Sequence, residues 1–410
     1  MRCLYVTAVY PNDFNRSVYG IFQRMRMWLD AIKSMGCELD IMFLLPHGTD
    51  VSTEAAKTLT SGLLQCWGIR AHVVLCEREK ILPNTTRSSL KTFFNSMTSH
   101  AQHPFFASYS GERQKKVFEQ CMQRLPDLVF FQKIYSMGPT KPALLRGTRV
   151  FLDLDDVEHL RFAREIGEPP HWRSKNLLYL EVPALWKGER ASILQSERAF
   201  VCSDVDRKYL QRVMRIKNIE TIPNAACWVA DAPLTSQQNV LFVGNGRYGP
   251  NVVAASYLIE KVWPRLKKNC PKARLLIAGS GWESTPSFQA RPEGVEFLGF
   301  VSDLEGIYRH TRVVCCPIWS GSGTRIKILE ATAHGVPVIS TSVGAEGLEF
   351  EPESEIILRD EAESLAGVCC DLLMDHSKAS RIGIAGRERV RTLYSRDAII
   401  EKIRKILTNG

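Results

Sequence analysis

The chain has 410 residues, 53 lysines and arginines against 44 aspartates and glutamates, a net charge of +9, and 45% hydrophobic content. That length exceeds one ordinary core and fits two domains of about 200 residues each, and the composition excludes a disordered or fibrous chain. The basic residues are scattered, so no nucleic-acid partner is expected; the excess charge reads as solvated surface that also suits acidic ligands or an anionic membrane face.

Most of the 12 cysteines sit in apolar runs, as Cys3, Cys37, Cys202, Cys315, Cys316, Cys369 and Cys370 do. That is the habit of buried free thiols, and it points to a reducing compartment. No paired CxxC motifs suggest a zinc ribbon. The opening run Met1–Val9 is strand-like and meets a Pro-Asn-Asp loop, unlike a signal peptide, and no run approaches the roughly 18 apolar residues of a membrane span. A cytoplasmic protein is expected, with peripheral association at the inner membrane face left open.

In chain order, Cys3–Val9 reads as a short buried strand, Val18–Ser34 as an amphipathic helix and Glu38–Leu45 as a second strand ending at Pro46. Helical stretches follow near 53–66 and 111–124, with strands at Ala71–Leu75, Leu128–Phe131 and Arg149–Leu154. A longer helix is expected over Asn176–Glu197, leading into the strand Ala199–Cys202. After a weakly periodic stretch the alternation restarts: strand Val240–Val243, helix Pro250–Lys268, and strands Arg274–Ala278, Val295–Leu298 and Val313–Cys316. Helix Thr324–His334, strand Pro337–Ser340 and helices over 360–407 complete it. Such alternation implies an α/β chain of two doubly wound, Rossmann-like domains facing across a cleft lined by the strands' carboxyl ends. The expected limits are 1–222 for an acceptor-binding domain, 223–238 for a linker, 239–385 for a nucleotide-sugar domain, and 386–410 for a helix returning to the first domain.

The strongest motif follows the strand Val313–Cys316. Small residues from Ser320 to Thr324 let backbone approach a ligand closely, and the helix behind them turns free N–H groups and its positive dipole end toward it. Arg325 and Lys327 add full charge, so a diphosphate is the natural guest. Thr324, Lys327 and Glu330 recur every third residue and are expected on one helix face, where Glu330 would accept from ribose hydroxyls. A plain glycine turn, a helix cap and a solvated Lys–Glu pair would also explain the pattern.

The run from Gly321 through Thr341, with Gly344-Ala-Glu-Gly-Leu348 after it, resembles the donor-site signature of glycosyltransferase family 4. The resemblance implies the GT-B fold, retention of anomeric configuration, no metal site and no cofactor. Its donor site would draw on Gly244, Arg247, Gly321, Ser322, Gly323, Thr324, Ile326, Glu330, Gly344 and Glu346. Arg325, Lys327 and Asp156 are the candidate catalytic residues, and Gly20, Arg24 and His159 the candidate acceptor contacts. Phe242-Val243-Gly244 with Pro250-Asn251, Ile222-Pro223-Asn224 and Asp153-Leu-Asp-Asp-Val-Glu158 are weaker echoes. Two departures stand out: Ser322 falls where many members carry a first glutamate, and Asn245 with Gly249 or Pro250 replaces their Arg and Lys. Arg325, Lys327 or Arg247 would then supply the missing charge.

Other patterns compete. Gly244-Asn-Gly-Arg-Tyr-Gly249 spells a dinucleotide fingerprint, but the next strand ends in Gly279-Ser280-Gly281 with no acid for the ribose. Asp153, Asp155 and Asp156 spell a DxD, which equally reads as an acidic strand end and helix cap. His103, His159, His171 and His334 lack ligand spacing. Phe93, Phe94, Phe105, Phe106 and Tyr109, with Arg87 and Lys91, form either a core cluster or a grip on lipid. The expected activity is sugar transfer from a nucleoside-diphosphate sugar, UDP ahead of GDP, to a glycan or lipid-linked acceptor. An epimerase or hydrolase on the same fold and a non-catalytic binding relative are the competing readings.

Overall fold

The computed structural model describes residues 1–14, 20–80, 93–167, 171, 175–227, 229, 232–290, 292–320 and 323–408. Arg87, Lys91, Gly321 and Ser322 lie outside the described residues. Two compact units make up the chain: unit 1 is Met1–Pro223 with Ile400–Gly410, and unit 2 is Asn224–Ile399.

Unit 1 is built on seven strands: β1 (Arg2–Thr7), β2 (Glu38–Leu45), β3 (His72–Glu77), β4 (Leu128–Gln132), β5 (Arg149–Asp155), β6 (Arg198–Val201) and β7 (Ile219–Thr221). Their order is β3-β2-β1-β4-β5-β6-β7, all parallel. β1, β2 and β4 are apolar on both faces because helices cover both sides, as parallel crossovers require. Helix α1 (Gly20–Ser34) buries Trp28 against Phe130 and Phe200, at ring separations of 4.6 and 4.9 Å.

Unit 2 carries β8 (Asn239–Val243), β9 (Arg274–Ala278), β10 (Val295–Gly299), β11 (Val313–Cys316), β12 (Val338–Ser340) and β13 (Ile357–Leu358). The order is β10-β9-β8-β11-β12-β13, again parallel. In each sheet the winding reverses beside the first strand, at β1/β4 and at β8/β11, and ligands of doubly wound sheets collect at such points.

Several elements differ from expectation for local reasons. The helix expected over Asn176–Glu197 is a 3-10 turn, Lys175–Glu181, followed by an α-helix, Val182–Leu194, whose second residue Pro183 favours a helix start there. The helix expected from Pro250 runs as Gly249–Tyr257, a wide turn Leu258–Val262, and Trp263–Asn269. Pro264 lacks the N–H that would close a regular turn, and the helix widens just before it. The helices Glu158–Ile166 and Asp204–Met214 and the short strands β7 and β13 were not expected. The boundary expected at 385/386 falls inside one helix, His376–Leu393, within unit 2. In the final helix, Arg396–Thr408, the part from Ile400 onward belongs to unit 1, where Leu407 accepts from Arg149 Nη1 at 2.7 Å and Lys402 Nζ donates to Thr221 at 2.9 Å. No helix among the described residues is long and apolar enough to cross a membrane.

Candidate functional site

At the reversal point of unit 2, four strand ends present loops. After β8 the chain turns through Gly244–Gly249 into helix α2 (Gly249–Tyr257), and after β9 it passes Gly279-Ser280-Gly281. These two loops pack backbone to backbone: Gly244 N–H donates to the Ala278 carbonyl at 2.8 Å and Gly246 N–H to the Ser280 carbonyl at 2.9 Å. Gly279 has φ 130°, and a Cβ there would overlap the Gly244 carbonyl oxygen. Gly244 and Gly246 of the fingerprint are thus used for loop packing that a Cβ would crowd, while Gly249 has open space around it. Arg247 lies exposed on the outer turn.

After β11 the loop leads into helix α3 (Ile326–Ala333), which starts two residues later than expected. Thr324 therefore precedes the helix and does not share a face with Lys327 and Glu330. Its hydroxyl accepts from Asn224 Nδ2 at 2.9 Å, which holds Thr324 in extended chain. Arg325 is the cap residue, and its side chain makes no capping hydrogen bond to the first N–H groups of α3. Its guanidinium turns back on the loop, donating to the Gly323 carbonyl and to the Ser320 carbonyl at 3.1 Å. Gly323 has φ 70°, a left-handed turn that suits glycine. Ile326 is half-buried at the helix start.

Lys327 points inward. Its ammonium donates to Asn251 Oδ1 at 2.6 Å and lies 4.8 Å from the Phe242 ring centroid. Burial lowers its pKa from the ordinary lysine value, and the nearby Arg325 acts in the same direction. Asn251 in turn donates to the Asn245 carbonyl at 3.0 Å, linking the α3 side chain to the β8 loop. Glu330, one turn on, is half-buried; behind it the Tyr308 hydroxyl is buried with no hydrogen-bond partner, and burial pushes that phenol's pKa well up. Beyond β12, Gly344 N–H donates to Thr341 Oγ1 at 2.8 Å, and Glu346 follows half-buried in the same turn. Gly244, Gly323, Thr324, Arg325, Lys327, Glu330 and Gly344 thus occupy three neighbouring strand ends of one sheet.

The expected acceptor residues fall in unit 1, and two of them are committed elsewhere. Arg24 is 1% exposed, and its Nε and Nη2 reach Asp153 at 2.8 and 2.6 Å while Nη1 donates to the Ile222 carbonyl at 3.0 Å. The acceptor contact expected of this guanidinium is taken up by Asp153. His159 is buried with Glu189 on Nδ1 and the Tyr209 hydroxyl on Nε2 at 2.9 Å, so both ring nitrogens are occupied by the protein. Gly20 is the first residue of α1.

Asp156, at the end of β5, accepts from Lys133 Nζ at 2.6 Å, and Asp155 pairs with the same ammonium at 2.9 Å. Lys133 and Asp155 both hold left-handed backbone, φ 69° and 60°, uncommon for such residues and characteristic of functional strand ends. Burial raises the Asp155 pKa, against the pull of Lys133. Beside them Gln132 accepts from Thr7 Oγ1 at 2.7 Å, and its Nε2 is buried without a partner. Lys133 and Gln132 escaped sequence reasoning, and Asn251 entered it only as part of a weak echo. Their only signal is position at a strand end or helix start beside the winding reversal. Phe106 and Tyr109 are buried in the unit 1 core while Phe94 is exposed, so the aromatic cluster does not act as one group.

Residues 237–375 match the family model described as Glycosyl transferases group 1. A GDP-mannose-dependent monoacylated alpha-(1-6)-phosphatidylinositol monomannoside mannosyltransferase of Corynebacterium glutamicum is 29% identical over 159 residues, covering 36% of this chain and 42% of that protein. The chain matches between 34% and 51% of the length of the curated relatives. Among solved structures, sucrose-phosphate synthase from Thermosynechococcus elongatus has a TM-score of 0.67 at 16% identity, covering 100% of this chain and 98% of that one. Anabaena HepE, solved with UDP and glucose, has a TM-score of 0.60 at 14% identity, covering 100% of both chains. These likenesses establish the fold as GT-B, two Rossmann-like units in one chain.

Proposed function

We propose that this chain, whose residues 237–375 match the model of group 1 glycosyl transferases, transfers a sugar from a nucleoside-diphosphate sugar to a hydroxyl acceptor with retention and without a metal. The observation that carries this reading is the reversal point of unit 2, where the start of α3 carries Lys327 toward Asn251 beside the β8 loop and Arg325 onto the loop after β11. Departure of a nucleoside diphosphate develops negative charge on phosphate. Free N–H groups at the start of α3 and the Lys327 ammonium are preorganised to stabilise it. Glu330 would hold the ribose. In unit 1, the carboxylates of Asp155 and Asp156 are suited to orient an acceptor hydroxyl.

Support for the donor class comes from relatives: the Corynebacterium protein is named as GDP-mannose-dependent, and HepE was solved with UDP. A UDP-linked donor is the first choice, with a glycan or lipid-linked acceptor. Thermal-shift and calorimetric titration with UDP, GDP, ADP, dTDP and CMP in EDTA tests this. One nucleoside diphosphate should bind tightly and Glu330→Ala should weaken it about tenfold to a hundredfold, the range for a hydrogen bond to a charged group. Absence of binding by all five would overturn the proposal.

A further inference from the structure

Burial is inverted along one stretch of unit 1. In the 3-10 turn Lys175–Glu181, side chains three apart eclipse one another, so Lys175, Leu178 and Glu181 form one row and Leu177 and Leu180 another. Ordinary patterning would put the leucines inside. Here Lys175 and Glu181 are 6% and 4% exposed, while Leu177 and Leu180 are 54% and 48% exposed, with Tyr179 exposed beside them. The charged row is held from within: Glu181 accepts from Ser96 Oγ at 3.2 Å and lies 3.5 Å from His103 Nε2. The Ser96 contact also brings alongside the segment that carries the exposed Phe94.

The helix Val182–Leu194 continues the outward face. Its exposed residues are Pro183, Lys187, Ala191 and Leu194, at the spacing of one helix face. Both side-chain carboxylates between residues 175 and 194 are buried. One is Glu181 in the turn; the other is Glu189, which accepts from Glu158 N–H at 2.9 Å and meets His159 Nδ1. The outer face therefore carries apolar side chains and one exposed ammonium, Lys187, whose stem lies along apolar surface while its charge stays at the rim. Contiguous apolar faces of this kind mark surfaces that are covered in use.

We propose that this face docks unit 1 on an anionic lipid surface. A single helix face is convex, so it does not enclose a small molecule. A second copy of the chain would bring Lys187 against a face with no exposed carboxylate between residues 175 and 194. The headgroups of an anionic bilayer supply that negative charge, and the acyl boundary takes the leucines. Apolar residues with a flanking cation and no exposed acid are the pattern of a helix lying in the interface plane. Because the helix returns the chain to the amino end of β6, the turn before it lies toward the carboxyl end of β5, where Asp155 and Asp156 stand. Docking stands independently of the acceptor reading above; only its corollary, a lipid-linked hydroxyl presented at that end, rests on it.

The test is flotation of the full chain with vesicles of phosphatidylcholine alone or mixed with phosphatidylglycerol. Wild type is compared with Leu177→Ser combined with Leu180→Ser, with Lys187→Glu, and with Ile384→Ser, a similarly exposed apolar residue of unit 2. Every substituted side chain is exposed, and circular dichroism checks that each variant folds. Wild type should float with the mixed vesicles, less so in high salt, and not with phosphatidylcholine alone. The leucine pair should weaken binding about tenfold or more and Lys187→Glu about tenfold, while Ile384→Ser binds as wild type. Four results would overturn the proposal: no flotation of wild type with mixed vesicles, equal flotation with phosphatidylcholine alone, undiminished binding in the leucine pair or Lys187→Glu, or an equal loss in Ile384→Ser. Should the leucine pair not fold, Lys187→Glu and the lipid dependence still decide. Sedimentation without lipid covers the other occupant, since a concentration-dependent dimer that the leucine pair abolishes would assign the face to a second copy instead. Failure of nucleotide titration would remove the donor-site reading and leave docking untouched.

Discussion

Replacing Arg24 by methionine distinguishes a structural guanidinium from one that meets an acceptor. Both side chains of the Arg24–Asp153 pair are fully buried. Asp153 accepts from Arg24 Nε at 2.8 Å, Arg24 Nη2 at 2.6 Å and Trp28 Nε1 at 2.9 Å, so Arg24→Met leaves it a single N–H. Removing one partner of a buried pair costs about 3–5 kcal/mol, and the lost bond to the Ile222 carbonyl adds about 1 kcal/mol. Methionine fills most of the volume and recovers part of this. A net loss of about 3–4 kcal/mol is expected, or roughly 6–16 °C in Tm at about 2–4 °C per kcal/mol for a unit of this size. Urea unfolding followed by circular dichroism reads it directly, and Asp153→Leu on top of Arg24→Met should restore most of the stability. Arg24→Met within about 1 kcal/mol of wild type, together with a raised KM for acceptor, would refute the reasoning.

Two further variants probe unit 2. Arg325→Ala releases the Ser320 and Gly323 carbonyls that its guanidinium holds. Donor affinity should then fall about tenfold, one charged hydrogen-bonding group's worth; unchanged affinity in titration would exclude the role. Gly279→Ala places a Cβ against the Gly244 carbonyl at φ 130° and should destabilise unit 2 by about 1–3 kcal/mol in urea unfolding.

How far the sequence could be read depended on the range of the interactions. Elements set by local apolar patterning were legible: Glu38–Leu45 and Val313–Cys316 appear with their expected limits. β7 was not, because three residues after Lys217-Asn218 are too short to show a period. The helix Glu158–Ile166 was hidden by five charged or histidine residues in nine. Its start also follows Asp155-Asp156, which read as a ligand motif. The start of α3 was misplaced because the Asn224–Thr324 bond spans 100 residues. Arg24 with Asp153 and Lys327 with Asn251 are separated by 129 and 76 residues. A lone sequence carries no mark of either partnership, so charges were assigned to ligands that the protein itself had in part already claimed.

The topology alone does not say which unit takes the diphosphate. Both sheets share one winding through six strands, and both present a reversal point at the carboxyl ends. Charge separates them. At β1/β4, the cations Arg24 and Lys133 face three carboxylates, Asp153, Asp155 and Asp156. At β8/β11, Lys327 and Arg325 stand at a helix's positive end, Lys327 donating to Asn251 and Arg325 to the Ser320 and Gly323 carbonyls. A phosphate charge placed about 6 Å from an uncompensated carboxylate would be opposed by roughly 3 kcal/mol at an effective dielectric constant near 20. The first site therefore disfavours a diphosphate and suits neutral hydroxyls, which donate to carboxylates without that penalty. At the second, Lys327 and the positive end of the α3 dipole favour an anion. On this argument the proposed division of labour between the units resides in seven charged side chains, which a charge reversal at Lys327 or Asp156 would disturb in opposite ways.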